Sequence, residues 1–248
     1  MRRQYDDVRR MPDALIEQKA WDYIFRYIKK YNTLPAYPLQ LEDILDLLDN
    51  IRVETRDLEG EYGQGTLGAL ILDDREKIIA LDESINPEKN KRKQGIYNFS
   101  LAHETGHWVL HAPAWLAAHR GESLFGDNGE PLVLYRSHHK SRKDEIERQA
   151  DKFASYLLMP EKVVREEWLR RYGDEVLDVH EELRDKFFDP NRKLGFYANV
   201  QSWHAIPCDR AYEFAPAFGV SPIAMQYRLA DLNLLKLEKD DDRQLTLF

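Results

Sequence analysis

Tyr97-Asn-Phe-Ser-Leu-Ala-His-Glu-Thr-Gly-His-Trp-Val-Leu-His111 is the stretch on which the reading of this chain turns. The run predicts a helix. On a helix, positions i and i+4 share a face one turn apart, so His103 and His107 can both reach one metal ion. Glu104 lies between them and points slightly off that line, where it can stand beside a water on the metal and accept its proton. Gly106 costs the helix about 1 kcal/mol against alanine, which predicts a neighbour that approaches closely. Five residues arise by chance easily enough that the surroundings must decide: a helix around the string, a third ligand downstream and a hydrolase-like body.

The composition fits such a body. The chain has 248 residues, enough for one large domain or two small ones with a sizeable core. A hydrophobic fraction of 43%, with 11 Pro and 12 Gly, is that of a globular chain. No apolar run approaches the ~18 residues of a membrane span, and no apolar segment of a secretory signal follows the charged start of the chain. The single cysteine, Cys208, rules out an internal disulfide and fits a reducing cytoplasm; it reads as a small buried side chain. A formal net charge of −8 argues against a dedicated nucleic-acid-binding protein and for no membrane partner, and it suits an enzyme acting on a basic partner.

Outward from the histidines, residues 13–31 predict a helix on Leu15, Ala20, Trp21, Ile24, Phe25 and Ile28. After Pro35 and Pro38, Leu41–Leu48 predicts a second. The period then changes: Ile51–Thr55, Thr66–Leu72 and Lys77–Leu81 are short β-rich runs that read as a small antiparallel sheet. Gly60, Gly63, Gly65 and Gly68 suggest turns and close backbone approach. Residues 112–141 read as an irregular excursion, Lys143–Met159 as a strongly amphipathic helix closed by Pro160, and Glu161–Tyr172 as another helix. Residues 209–232 predict two short helices around Phe218-Gly-Val-Ser-Pro222. The expected organisation is an N-terminal helical region (1–50), a core (51–205), a helix-turn-helix-like segment (206–235) and a flexible acidic tail (236–248) carrying Asp240-Asp241-Asp242.

A catalytic zinc site takes three protein ligands and keeps one position for water. His111 is one further turn along the helix, about 6 Å from His107 along the axis, and three ligands on one straight helix cannot close a tetrahedron; it reads as a helix-end histidine near the C-terminal dipole. His138 and His139 remain possible. On helix 143–159, Glu147 and Asp151 lie one turn apart beside the apolar stripe Ile146, Ala150, Phe153, Ala154 and Leu157. A carboxylate there that faces the histidine pair would complete a His-His-Glu set, with Asp151 placed to hold the free ring nitrogen of a ligating histidine. A solvated face paired to Lys143, Arg148 and Lys152 fits the same spacing.

Phe99-Ser-Leu-Ala-His-Glu-Thr-Gly-His-Trp-Val-Leu-His111, then Glu147-Arg-Gln-Ala-Asp-Lys-Phe-Ala-Ser-Tyr-Leu-Leu-Met-Pro160, resembles the ImmA/IrrE metallopeptidases. Their pattern is F-[ST]-x-A-H-E-x-G-H followed by E-x-x-A-[ND]-x-F-A-x-x-L-L-M-P. Phe218-Gly-Val-Ser-Pro-Ile-Ala-Met-Gln-Tyr-Arg-Leu229 is similar to a third block of that family, and the likeness spans about residues 40–232. It implies an α+β, zincin-like core with a small antiparallel or mixed sheet, an active-site helix and a second helix carrying the glutamate. It also implies that His103, His107 and Glu147 hold Zn2+ (or another divalent metal such as Mn2+) and that Glu104 is the general base. A donor to the oxyanion is needed as well, with His111, His138, His139, His204 and Tyr197 as candidates.

The resemblance further implies that the substrate is a helix-turn-helix transcriptional repressor, whose cleavage relieves repression. No sensor domain is expected after the core and no repressor domain before it, which leaves the trigger open. Two other readings compete. Residues 209–232 could bind DNA, but Cys208–Phe248 carries 5 Lys or Arg against 7 Asp or Glu, a poor surface for phosphates. The chain could instead sequester a partner without cleaving it, its metal site vestigial. Finally, Gln244-Leu-Thr-Leu-Phe248 resembles the short peptides that dock on the bacterial sliding clamp.

Overall fold

The computed structural model describes residues 10–72, 76–118, 132–135, 145–189 and 202–237. The candidates His138, His139 and Tyr197, and the clamp-like peptide Gln244–Phe248, lie outside them. The chain forms two compact units, residues 1–158 and 159–248.

The first unit begins with α1 (Asp13–Tyr31), whose buried stripe is Ile16, Ala20, Tyr23 and Ile24. It stops where Asn32 turns left-handed at φ 52°, a conformation that asparagine tolerates better than most side chains. The second helix, α2 (Leu41–Asp49), ends the same way at Asn50. Strand β1 (Arg52–Arg56) follows, then the short α3 (Leu58–Tyr62), β2 (Gly68–Leu72) and β3 (Lys77–Asp82). Every residue of β2 is buried, so its unbroken apolar run marks a strand covered on both faces. After α4 (Gln94–Gly106) come a π-helical turn (His107–His111), α5 (Ala112–Ala118), β4 (Leu132–Tyr135) and α6 (Glu145–Leu158).

The sheet runs β1-β3-β2-β4. β2 is antiparallel to both β3 and β4, but β1 is parallel to β3, with Val53 opposite Ile79. The antiparallel reading of the strand runs gives way to a mixed sheet, which the expected antiparallel or mixed core includes. Between β1 and β3 the chain passes through α3 and β2, and a parallel neighbour needs such a crossover. Asp82, at the end of β3, holds it together: its carboxylate accepts the backbone N–H groups of Leu58, Glu59 and Ser84 at 2.8–3.1 Å. The stretch expected to be irregular, 112–141, contains α5 and β4. The helix expected to end at His111 continues through the π turn into α5.

α4 packs against α6 and against β2 and β3, and α1 packs on the same α6. Arg148 of α6 donates to Asp13 Oδ1 at 2.7 Å and to the Met11 carbonyl at 3.1 Å. The metal-binding candidates of α4 and α6 are thus carried by one packed layer.

In the second unit, α7 (Glu161–Tyr172), α8 (His180–Phe188), α9 (Asp209–Phe218) and α10 (Pro222–Asp231) enclose a core that includes Val164, Trp168, Leu183, Phe214, Met225 and Leu229. Gly219 closes α9 at φ 62°, and Ser221 caps α10 by accepting the Ala224 N–H, with Pro222 in the first turn. The polar residues of α10 turn inward. Gln226 accepts the Cys208 N–H at 2.6 Å and donates to the carbonyls of His204 and Ile206, both at 2.9 Å. Arg228 is buried and donates to the Met159 carbonyl at 2.9 Å. Among the described residues, no helix is long and apolar enough to cross a membrane.

Candidate metal centre

The α4 face at 103–107 and the α6 face at 147–151 meet where Gly106 sits. A Cβ on Gly106 would lie 3.1 Å from Ala150 Cα and 3.2 Å from its carbonyl oxygen, so a larger residue would have to push the two helix backbones apart by a few tenths of an ångström. The neighbour that this glycine predicts is the backbone of α6. With the helices at that spacing, short carboxylate side chains on α6 reach the imidazoles of α4.

His103 Nε2 and His107 Nε2 stand 3.1 Å apart. The carboxylate oxygens of Glu147 lie 3.2 Å from His103 Nε2 and 3.5 Å from His107 Nε2. Both histidines are buried and Glu147 is half-buried. Ligands held at ~2.0–2.1 Å by a tetrahedral ion stand roughly 3.3 Å from one another. The observed separations match the edges of that tetrahedron, so the three residues fit one divalent ion. Among the described residues, these three form the group of histidine and acidic side chains able to hold a metal.

Asp151, one turn beyond Glu147, approaches His103 from the other side, with Oδ1 2.8 Å from Nδ1. A carboxylate there accepts the hydrogen bond of an Nδ1–H, which leaves the Nε2 lone pair facing His107 and Glu147.

The IrrE N-terminal-like domain, peptidase family M78, matches residues 50–230, most of the chain. The chain belongs to the ImmA/IrrE family of metallopeptidases. A comparison with curated proteins finds no match. Membership makes the protein a metallopeptidase, a hydrolase that works with a divalent metal, on the α+β zincin-like fold described above.

In this ImmA/IrrE peptidase, Glu104 follows the first of the two histidines. Its side chain is only 2% exposed and lies against the start of β2: a Cβ on Gly68 would stand 2.6 Å from Glu104 Oε1. The glycine therefore leaves the seat in which the glutamate rests. The sequence signal was the run of glycines before β2, read as close backbone approach without the partner being visible.

His111 departs from expectation. It is not a helix-end residue at a C-terminal dipole, because the π turn carries the helix past it. Nor does it join the ligand group: its Nδ1 lies 3.1 Å from Nδ1 of His107, the ring nitrogen facing away from Glu147. Burial pushes its pKa down to about 4, so the ring is neutral at ordinary pH. Its other nitrogen lies 3.2 Å from Oε1 of Gln149, a fully buried amide that sequence reasoning passed over. His204 belongs to the second unit and lies beside Ser202 and Trp203.

Proposed function

We propose that the protein is a zinc-dependent endopeptidase whose substrate is a helix-turn-helix transcriptional repressor, with His103, His107 and Glu147 as the ligands and Glu104 as the general base. The observation that supports this reading best is the tetrahedral spacing of the three ligand groups, with a buried carboxylate one residue from the first histidine. Zinc, when bound, supplies Lewis acidity that draws the pKa of a water toward ~7 and polarises a carbonyl. Glu104, seated against Gly68, takes the proton of the attacking water and passes it to the leaving amine. Asp151 holds the His103 ring in register through Nδ1. The helices α4 and α6 fix these groups before substrate arrives, so little reorganisation accompanies the reaction.

The net charge of −8 suits a basic, DNA-binding substrate through long-range attraction. DNA binding by residues 209–232 themselves is disfavoured. A recognition helix needs outward long polar side chains, and Gln226 and Arg228 of α10 are buried on main-chain carbonyls.

The test is cleavage of a purified helix-turn-helix repressor, encoded beside this protein, by the zinc-loaded enzyme. The wild type is expected to cut it, with cleavage stopped by a chelator and restored by zinc. Glu104→Gln should lower the rate by roughly 10²–10⁴-fold while leaving zinc binding and repressor binding in place. Relief of repression by Glu104→Gln at the wild-type level would sink the proteolytic mechanism and favour sequestration.

A further inference from the structure

His103 and His107 are held differently. His103 has a carboxylate on its Nδ1, whereas His107 faces the ring of His111 there. Imidazole can present Nε2 as a lone pair or as an N–H, and only the lone pair binds a metal. Something must select it at His107.

The selection is legible in the contacts behind the ring. Arg148 donates to both carboxylate oxygens of Glu145, at 2.9 and 3.0 Å, which keeps Glu145 ionised. An ionised carboxylate only accepts, so the Gln149 group 3.0 Å from Glu145 Oε1 is its NH2. That fixes the amide: the carbonyl oxygen Oε1 points the other way, 3.2 Å from His111 Nε2. A carbonyl accepts, so His111 carries its proton on Nε2. With its proton on that nitrogen, His111 can present Nδ1 as a lone pair. It lies 3.1 Å from His107 Nδ1, which must then be the donor. His107 is left with its lone pair on Nε2, 3.1 Å from the lone pair that Asp151 leaves on His103. Two lone pairs at that distance repel unless a cation sits between them.

The opposite assignment fails at each link. Were His111 protonated on Nδ1, its Nε2 lone pair would face the Gln149 carbonyl. Turning the amide over to cure that would set the carbonyl against the Glu145 carboxylate. Both rings lie on the π turn, their centroids 5.1 Å apart, and such turns recur at functional sites.

We propose that Glu145, Gln149 and His111 form a relay of positioning residues that fixes the tautomer of His107 and aims its Nε2 at the ion. The relay rests on the reading of His103, His107 and Glu147 as ligands. Loss of a partner behind a ligating histidine typically weakens metal binding roughly 10–100-fold.

The experiment is zinc affinity by chelator competition on the full chain, together with long-range 1H–15N spectra of the histidine rings in the zinc-loaded wild type. His111→Leu, which keeps bulk and removes both nitrogens, is expected to bind zinc about 10–100-fold more weakly. His111→Gln supplies one acceptor and one donor and should restore affinity to within about 3-fold of wild type. Gln149→Leu should weaken binding less than His111→Leu. The spectra should show His111 protonated on Nε2 and His107 on Nδ1, a readout that needs no variant to fold. His111 protonated on Nδ1, or wild-type affinity in folded His111→Leu, would overturn the relay. Glu147→Ala separates the two failures. If it too binds zinc like the wild type, the ligand reading has failed; if it alone loses zinc, only the relay has.

Discussion

α6 and α10 both carry polar side chains on buried faces and use them in opposite ways. On α10, Gln226 and Arg228 close on main-chain groups: donors meet carbonyls and an acceptor meets an N–H. On α6, Glu147 faces two imidazole nitrogens at 3.2 and 3.5 Å, and Asp151 prepares one of those imidazoles to be an acceptor as well. Acceptors that converge on acceptors are stable only around a cation. The difference separates a helix that holds a fold together from one able to hold an ion.

Removing the ligand carboxylate breaks that contrast with the largest effect. Glu147→Ala is expected to weaken zinc binding by more than the roughly 100-fold upper bound for an outer partner, measured by competition with a chromophoric chelator. Asp151→Ala comes next, at about 10–100-fold in zinc affinity with the ligands intact. Equal zinc retention in both variants would place α6 with α10 as merely structural. On the other side of the comparison, Gln226→Leu strands an N–H and two carbonyls and should cost about 1–3 kcal/mol in denaturant unfolding. Zinc affinity should not move; a loss there would tie α10 to the site. The smallest effect belongs to Gly106→Ala. Crowding against Ala150 opposes a gain in helix propensity of about 1 kcal/mol, so the net loss should be about 1 kcal/mol in unfolding free energy, read from denaturant titration.

How much of this was legible follows from the range of each interaction. The pairing of His103 with His107, and of Glu147 with Asp151, is local helical geometry and reads directly from spacing. That the two faces meet is not local; the family resemblance pointed to it, and Gly106 gave the one physical hint. The parallel pairing of β1 with β3 was missed because strand partners are chosen across the chain, and the period of a strand does not say which way its neighbour runs. β4 was missed although Leu132-Val-Leu-Tyr135 is β-rich, because the polar stretches around it dominated the reading. His111 was misread because a π turn leaves no mark on side-chain periodicity. Gln149 was passed over because a neutral amide beside an apolar stripe looks like a tolerated exception, and only the contacts of both its ends reveal its direction.

Zinc-edge anomalous diffraction from crystals of the zinc-loaded protein decides whether these residues are the ligands. A single peak is expected about 2.0–2.1 Å from His103 Nε2 and His107 Nε2 and about 2.0–2.2 Å from a Glu147 oxygen, with Glu104 near but outside bonding distance. A peak held by His138 or His139, with Glu147 turned away, would contradict the His-His-Glu site.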